Sequence, residues 1–149
     1  MIKNNPVYVE DIAQDIMLKV YNNLHTYKPF YSFNTWIYSI ARNHCIDFRK
    51  KKSAADSNSS ELLDTVNVNQ TNSYSAPDEA VVTDELNGCI NSYLNTLNDA
   101  DRQISFLRFY EGLGYKEIGK IMNISTGTIK YRVHVIRNNL KTFLEKHYE

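Results

Sequence analysis

The residues of this sequence best placed for chemistry are cations, hydroxyls and aromatics that would meet a polyanion, not a nucleophile with its base. Between Ser125 and Thr142 there is no acid, while Lys130, Arg132, His134, Arg137 and Lys141 recur along what periodicity makes the outer face of a helix. An exposed helix face normally mixes charge signs, so an all-cationic one suits phosphates. Ser125, Thr126 and Thr128 cluster at its start, where free backbone N–H groups and hydroxyls can hold a phosphate. Lys130, Tyr131 and His134 are then set to meet base edges in a major groove. Covalent chemistry finds far less. There is no Gly-rich phosphate loop, no Ser/His or Cys/His pairing at workable spacing, and no carboxylate pair in an apolar setting. No catalytic residue and no cofactor are therefore expected. Cys45 and Cys89 lie far apart on helical patterns and read as buried free thiols of a reducing cytoplasm. His25, His44, His134 and His147 are scattered, so no metal site is expected.

The elements that must position these groups are helices, and an all-α fold is expected. Val9, Ile12, Ile16, Val20 and Leu24 recur at three- and four-residue steps. After a break at Thr26–Tyr31, Ser32 caps a second helix whose inner face holds Trp36, Ile37, Ile40, Ala41, Cys45 and Phe48. A third helix from about Asp78 to Leu97 carries Ala80, Val81, Leu86, Ile90, Tyr93, Leu94 and Leu97. Ala100–Tyr110 follows with Ile104, Leu107 and Phe109. Beyond Gly112 and Gly114, a short helix Tyr115–Met122 ends at Asn123, a residue able to take the left-handed conformation. Ser125 then caps the last helix, with Ile129, Val133, Ile136, Leu140 and Leu144 as its apolar stripe. Short helix, tight turn, longer helix is the pattern of a helix-turn-helix.

The chain has 149 residues and a formal net charge of zero, which hides an uneven distribution. Residues 1–52 carry eight bases and four acids (+4), residues 53–97 seven acids and no base (−7), and residues 98–149 nine bases and six acids (+3). Two positive ends joined by a negative connector suit two separate contacts with a polyanion. Residues 53–77 are poor in large apolar side chains and read as a flexible acidic linker between helical domains at 1–52 and 78–149. No apolar run approaches the roughly 20 residues of a membrane span, and Met1–Pro6 lacks the apolar stretch of a secretory signal. No membrane insertion is expected.

A family resemblance sharpens this reading. The run from Gly112 through Tyr115-Lys-Glu-Ile-Gly-Lys-Ile-Met122 to Arg132 resembles the fourth conserved region of sigma factors, although response-regulator DNA-binding domains share much of it. Asp11-Ile-Ala-Gln-Asp-Ile-Met-Leu-Lys-Val-Tyr21, Phe33-Asn-Thr-Trp-Ile-Tyr-Ser-Ile-Ala-Arg-Asn43 and Asp47-Phe-Arg-Lys50 resemble the second region of the extracytoplasmic-function (ECF) group of sigma-70 factors. The resemblance implies promoter recognition and transcription initiation. Its partners would be core RNA polymerase, through the β′ coiled coil and the β flap, and promoter DNA, both as duplex and as melted strand. An anti-sigma factor is a further partner that the sequence leaves open.

By this resemblance the last helix reads the −35 element through Ser125, Thr126, Thr128, Lys130, Tyr131, Arg132, His134 and Arg137, and Asp11, Gln14 and Asp15 touch polymerase. The loop and second helix would capture the melted −10 element through Lys28, Phe30, Tyr31, Arg42, Asn43, Arg49 and Lys50. Tyr27, Lys28, Phe30, Tyr31 and Phe33 put aromatics beside a cation, which suits stacking of an unpaired base, whereas Trp36 and Phe33 also have the spacing of core residues. A 25-residue linker averages about 25–30 Å and extends to about 80 Å, enough for the roughly 50 Å between promoter elements. The sequence departs from the family in lacking a helix before Asp11, the expected consequence being a fragment or short form with a marginal N-terminal domain. It also departs at Gly119, where Ala is usual, and at Tyr131, where a smaller residue is usual. Two rivals remain: a helix-turn-helix regulator with no polymerase role, and a plain helical interaction protein. Neutralising three or four phosphates predicts a log–log salt slope near −3, which the last rival lacks.

Overall fold

The computed structural model describes residues 6–55 and 77–148, with side chains from 9–54 and 85–147. The fold is all-α, with no strand among the described residues. Its elements are α1 (Pro6–Asn23), a 3-10 turn (Leu24–Thr26), α2 (Phe33–Ala55), α3 (Pro77–Thr96), α4 (Asp99–Ser105) running into a π-helical turn (Phe106–Tyr110), α5 (Tyr115–Met122) and α6 (Thr126–Tyr148). Most of the expected linker, residues 56–76 with Leu62 and Leu63, lies outside the described residues. Its first three residues, 53–55, continue α2. Pro77 opens α3 at a first-turn position, where its missing N–H costs nothing.

The described residues form two compact units. One, within residues 1–66 and 113–126, contains α1, α2 and α5; the other, within 67–112 and 127–149, contains α3, α4 and α6 beyond its first residue. Sequence order had set α5 with the C-terminal helices, and in the fold it packs on α2.

In the first unit, α2 starts as its sequence requires. The Thr35 N–H donates to Ser32 Oγ at 3.3 Å, and the Trp36 N–H makes the first helical bond to the Ser32 carbonyl at 3.2 Å. Tyr27, Phe33 and Trp36 form one aromatic cluster, with centroids 5.2 to 5.6 Å apart. Ile12, Ile16 and Val20 of α1 are half-buried, whereas Val9 and Leu24, expected on the same inner face, are exposed at its two ends. Cys45 is also exposed, not buried as expected, and Cys89 is only partly covered. Burial of its sulfur still pushes the Cys45 thiol pKa up, with Arg49 pulling the other way.

In the second unit Tyr93, Ile104, Leu107, Ile129, Val133 and Ile136 are buried. The Tyr93 hydroxyl donates to the Ile136 carbonyl at 2.9 Å, tying α3 to α6, and its ring lies 5.5 Å from that of Phe143. Arg102 reaches back to the end of α3 and donates to the Leu94 and Leu97 carbonyls at 3.0 and 2.9 Å, adding to the Leu97 N–H that the Leu94 carbonyl already accepts. Asn98 caps α4 by accepting the Asp101 N–H at 2.9 Å. Two expected core positions are not core: Leu86 and Phe109 are exposed. The cause at Phe109 is the π-turn, closed by Glu111 N–H to the Phe106 carbonyl at 3.1 Å, which rotates the residues after Leu107 off the inner face.

Candidate nucleic-acid interface

The turn between α5 and α6 is built as its residue types demand. Asn123 adopts φ 55° and ψ 45°, the left-handed conformation that ends α5. The Ile124 N–H donates to the Gly119 carbonyl at 3.0 Å, drawing the turn over that glycine. A Cβ at Gly119 would stand 2.8 Å from the Ile124 carbonyl oxygen, so the glycine allows this close approach. The departure from alanine is thereby explained by the tightness of the turn.

Beyond the turn, Ser125 and Thr128 are exposed and Thr126 half-buried at the start of α6. Lys130, Tyr131, His134 and Arg137 are exposed, Tyr131 at 68%. His134 Nε2 is 3.0 Å from Asn138 Nδ2, one turn on, which orients the ring along the helix. Arg132 differs from the rest of the set. Its Nη1 lies 3.2 Å from Asp101 Oδ1 of α4, with both side chains partly covered. Lys141 makes only an exposed one-turn pair with Glu145, at 3.7 Å.

The first unit carries the second candidate surface. Phe30 is 83% exposed and Lys28 is exposed, while Tyr31 is half-buried beneath Lys120, whose ammonium is 4.8 Å from the ring centroid. The Tyr27 hydroxyl donates to the Tyr31 carbonyl at 3.0 Å and fixes the loop. Along α2, Asn43, Arg49 and Lys50 are exposed; Arg42 is half-buried, its Nε without a hydrogen-bond partner among the described residues. Phe33 stacks on Trp36 and Tyr27 meets Phe33 edge-on, so a shared cluster accounts for the core-like spacing of Phe33 and Trp36.

Asp11, Gln14 and Asp15 are exposed along α1. Asp15 Oδ2 lies 3.8 Å from Nε2 of His44 on α2. Exposed apolar side chains flank them: Val9, Met17, Leu18 and Tyr21. Such a face, acidic and apolar together, suits a protein partner better than a polyanion.

Sequence reasoning missed Glu117. Its Oε2 accepts the Gly114 N–H at 3.0 Å, while its Oε1 accepts both the Ser32 and the Thr35 hydroxyls at 2.9 Å. The Gly114 amide, then the Thr35 hydroxyl, hold its carboxyl below the usual carboxylate range against the opposing effect of burial, with Ser32 adding to them. Its spacing from Gly114 could have indicated a cap; nothing local could have indicated Ser32 and Thr35.

Known proteins resemble the chain along both candidate surfaces. The sigma-70 region 2 family matches residues 2–55, and the sigma-70 region 4 family matches residues 93–142. An ECF RNA polymerase sigma factor of Bacillus subtilis, SigW, is 34% identical over 136 residues, spanning 89% of this chain and 73% of the relative. The RNA polymerase sigma factor SigZ of the same organism is 31% identical over 143 residues, spanning 95% and 76%. Among solved structures, the sigma factor RpoE of Bartonella quintana, in complex with the anti-sigma factor NepR, is similar in fold. Its TM-score is 0.69 at 23% identity, over 91% of this chain and 80% of that one. No described helix is long and apolar enough to cross a membrane.

Proposed function

The chain belongs to the ECF group of sigma-70 factors, which bind core RNA polymerase and direct initiation at promoters, and on that premise we propose how its residues divide the task. Residues 1–52 engage polymerase and the −10 element, residues 53–77 connect, and residues 78–149 engage the −35 element. On α6, Lys130, Tyr131 and His134 meet base edges, while Ser125, Thr126, Thr128 and Arg137 hold the backbone. The exposure of all of these but the half-buried Thr126 supports this. Arg132 belongs to the same surface, but its pairing with Asp101 makes its first duty the orientation of α6 on α4. Phe30 and Tyr31 stack unpaired bases beside Lys28, and Arg42, Asn43, Arg49 and Lys50 follow the strand's backbone. Stacking contributes roughly 1–3 kcal/mol per base, comparable with extruding one, so opening needs no nucleotide hydrolysis.

Asp11, Gln14 and Asp15 contact the polymerase β′ coiled coil, and the C-terminal segment contacts the β flap. The chain does no covalent chemistry of its own and works in the cytoplasm with the polymerase. An anti-sigma factor is a fitting regulator, since RpoE of B. quintana was solved bound to one. A helix-turn-helix regulator without polymerase is not favoured, because residues 2–55 match region 2 ahead of the region 4 match at residues 93–142. That two-region match is the observation that carries the reading. Co-purification with core polymerase tests it: the wild-type chain forms a stable complex and supports run-off transcription from a promoter library, and the Asp11→Lys/Gln14→Lys chain does neither. A wild-type chain that binds DNA but never core enzyme would refute it.

A further inference from the structure

Two residues on one turn of α2 hold every buried side-chain nitrogen or oxygen that has no hydrogen-bond partner among the described residues. They are Arg42, through Nε, and His44, through both ring nitrogens. Folded chains rarely leave such groups unmatched, and each one calls for a reason. Arg42 has one in the proposed strand-binding set, where a phosphate can reach its guanidinium. His44 has none there. Its side chain is only 11% exposed, yet an imidazole always carries at least one N–H to donate. Across from it on α1, Asp15 Oδ2 stands 3.8 Å from Nε2, just beyond hydrogen-bond reach, on a side chain that is 61% exposed.

We infer that His44 is a positioning residue for polymerase binding: its Nε2–H donates to Asp15 and holds that carboxylate in the pose in which α1 meets the enzyme. The inference rests on the proposed contact of Asp15 with polymerase. A swing of about 1 Å by the exposed carboxylate closes the gap to the length of a charge-assisted bond. In the free chain water solvates Asp15, so little is gained by making that bond. A protein that covers α1 strips the water away. The bond then compensates the carboxylate and satisfies the orphaned ring donor in the same step. One oxygen goes to His44, and the other stays open to a donor of the partner. That donor meets a carboxylate fixed at one end, so less side-chain freedom is lost on binding.

The test reads the affinity of the full chain for core polymerase at fixed salt, in wild type, His44→Leu, His44→Gln, Asp15→Ala and the double variant His44→Leu/Asp15→Ala. His44→Leu should weaken binding about five- to tenfold, the value of one hydrogen bond to a carboxylate that becomes covered, and Asp15→Ala by at least as much. The double variant should bind as Asp15→Ala does, because without the carboxylate the ring has nothing to position. His44→Gln, whose amide sets an N–H near the place of Nε2, should bind more tightly than His44→Leu. A merely structural histidine gives the opposite pattern: its loss adds to that of Asp15→Ala, and glutamine does not rescue it. Wild-type affinity in His44→Leu, a His44→Leu chain that does not fold, additive losses in the double variant, or no rescue by glutamine each overturns the positioning role, while the polymerase contact of Asp15 stands. If Asp15→Ala binds core enzyme as wild type does, the contact itself falls, and the positioning role falls with it.

Discussion

Arg132 gives the sharpest test of how α6 meets DNA, because composition and geometry assign it different duties. From composition, Lys130, Arg132, Arg137 and Lys141 are four equivalent phosphate ligands. In the structure the guanidinium of Arg132 is 3.2 Å from Asp101 and partly covered, so its charge is already compensated. Lys130 and Arg137 are exposed, and Lys141 has only a solvated pair with Glu145, the kind worth at most about 0.5 kcal/mol. Each phosphate neutralised on duplex DNA contributes about −0.9 to the slope of log K against log salt. Two or three free cations then give a slope of about −1.8 to −2.7, shallower than four equal ligands would give. Binding of a labelled random-sequence duplex, titrated at several salt concentrations, reads this directly. Lys130→Gln and Arg137→Gln should each flatten the slope by about 0.9. Arg132→Gln should leave the slope unchanged while lowering the melting temperature by a few degrees, as loss of a partly buried pair does. Asp101→Asn frees the guanidinium and should steepen the slope. If Arg132→Gln flattens the line as much as Lys130→Gln does, the pairing with Asp101 does not survive on DNA and the assignment is wrong.

Two further outcomes follow from the packing. Tyr93→Phe removes the bond to the Ile136 carbonyl and should cost about 1 kcal/mol in urea denaturation. Burial, with the charge of Asp101 second, pushes the Tyr93 phenol above its ordinary value near 10, so its stabilising effect is complete below about pH 10 and fades as pH rises further. The Tyr93→Phe chain should lack that alkaline loss, and identical alkaline unfolding of both chains would contradict the argument. Gly119→Val brings side-chain carbon against the Ile124 carbonyl, where even a Cβ stands at 2.8 Å. It should lower the denaturation midpoint by the equivalent of about 1–3 kcal/mol, and no change would mean the turn is looser than described.

Much of this architecture was legible because its signals are local. The Ser32 cap, the Asn123 turn and the stripe Ile129-Val133-Ile136 are read within a few residues, and each appears in the fold where its chemistry requires. The misses share a different origin. Phe109 leaves the core because a π-turn shifts the register, and no residue type between Phe106 and Tyr110 signals that extra residue in the turn. Val9 and Leu24 have the correct helical phase, but a phase says nothing of where the neighbouring helix ends. The average behaviour of free cysteines points to burial at Cys45, and an average does not decide a single position. Arg132 has the same composition signal as Lys130 and differs only through Asp101, 31 residues away. Glu117 was invisible for the same reason.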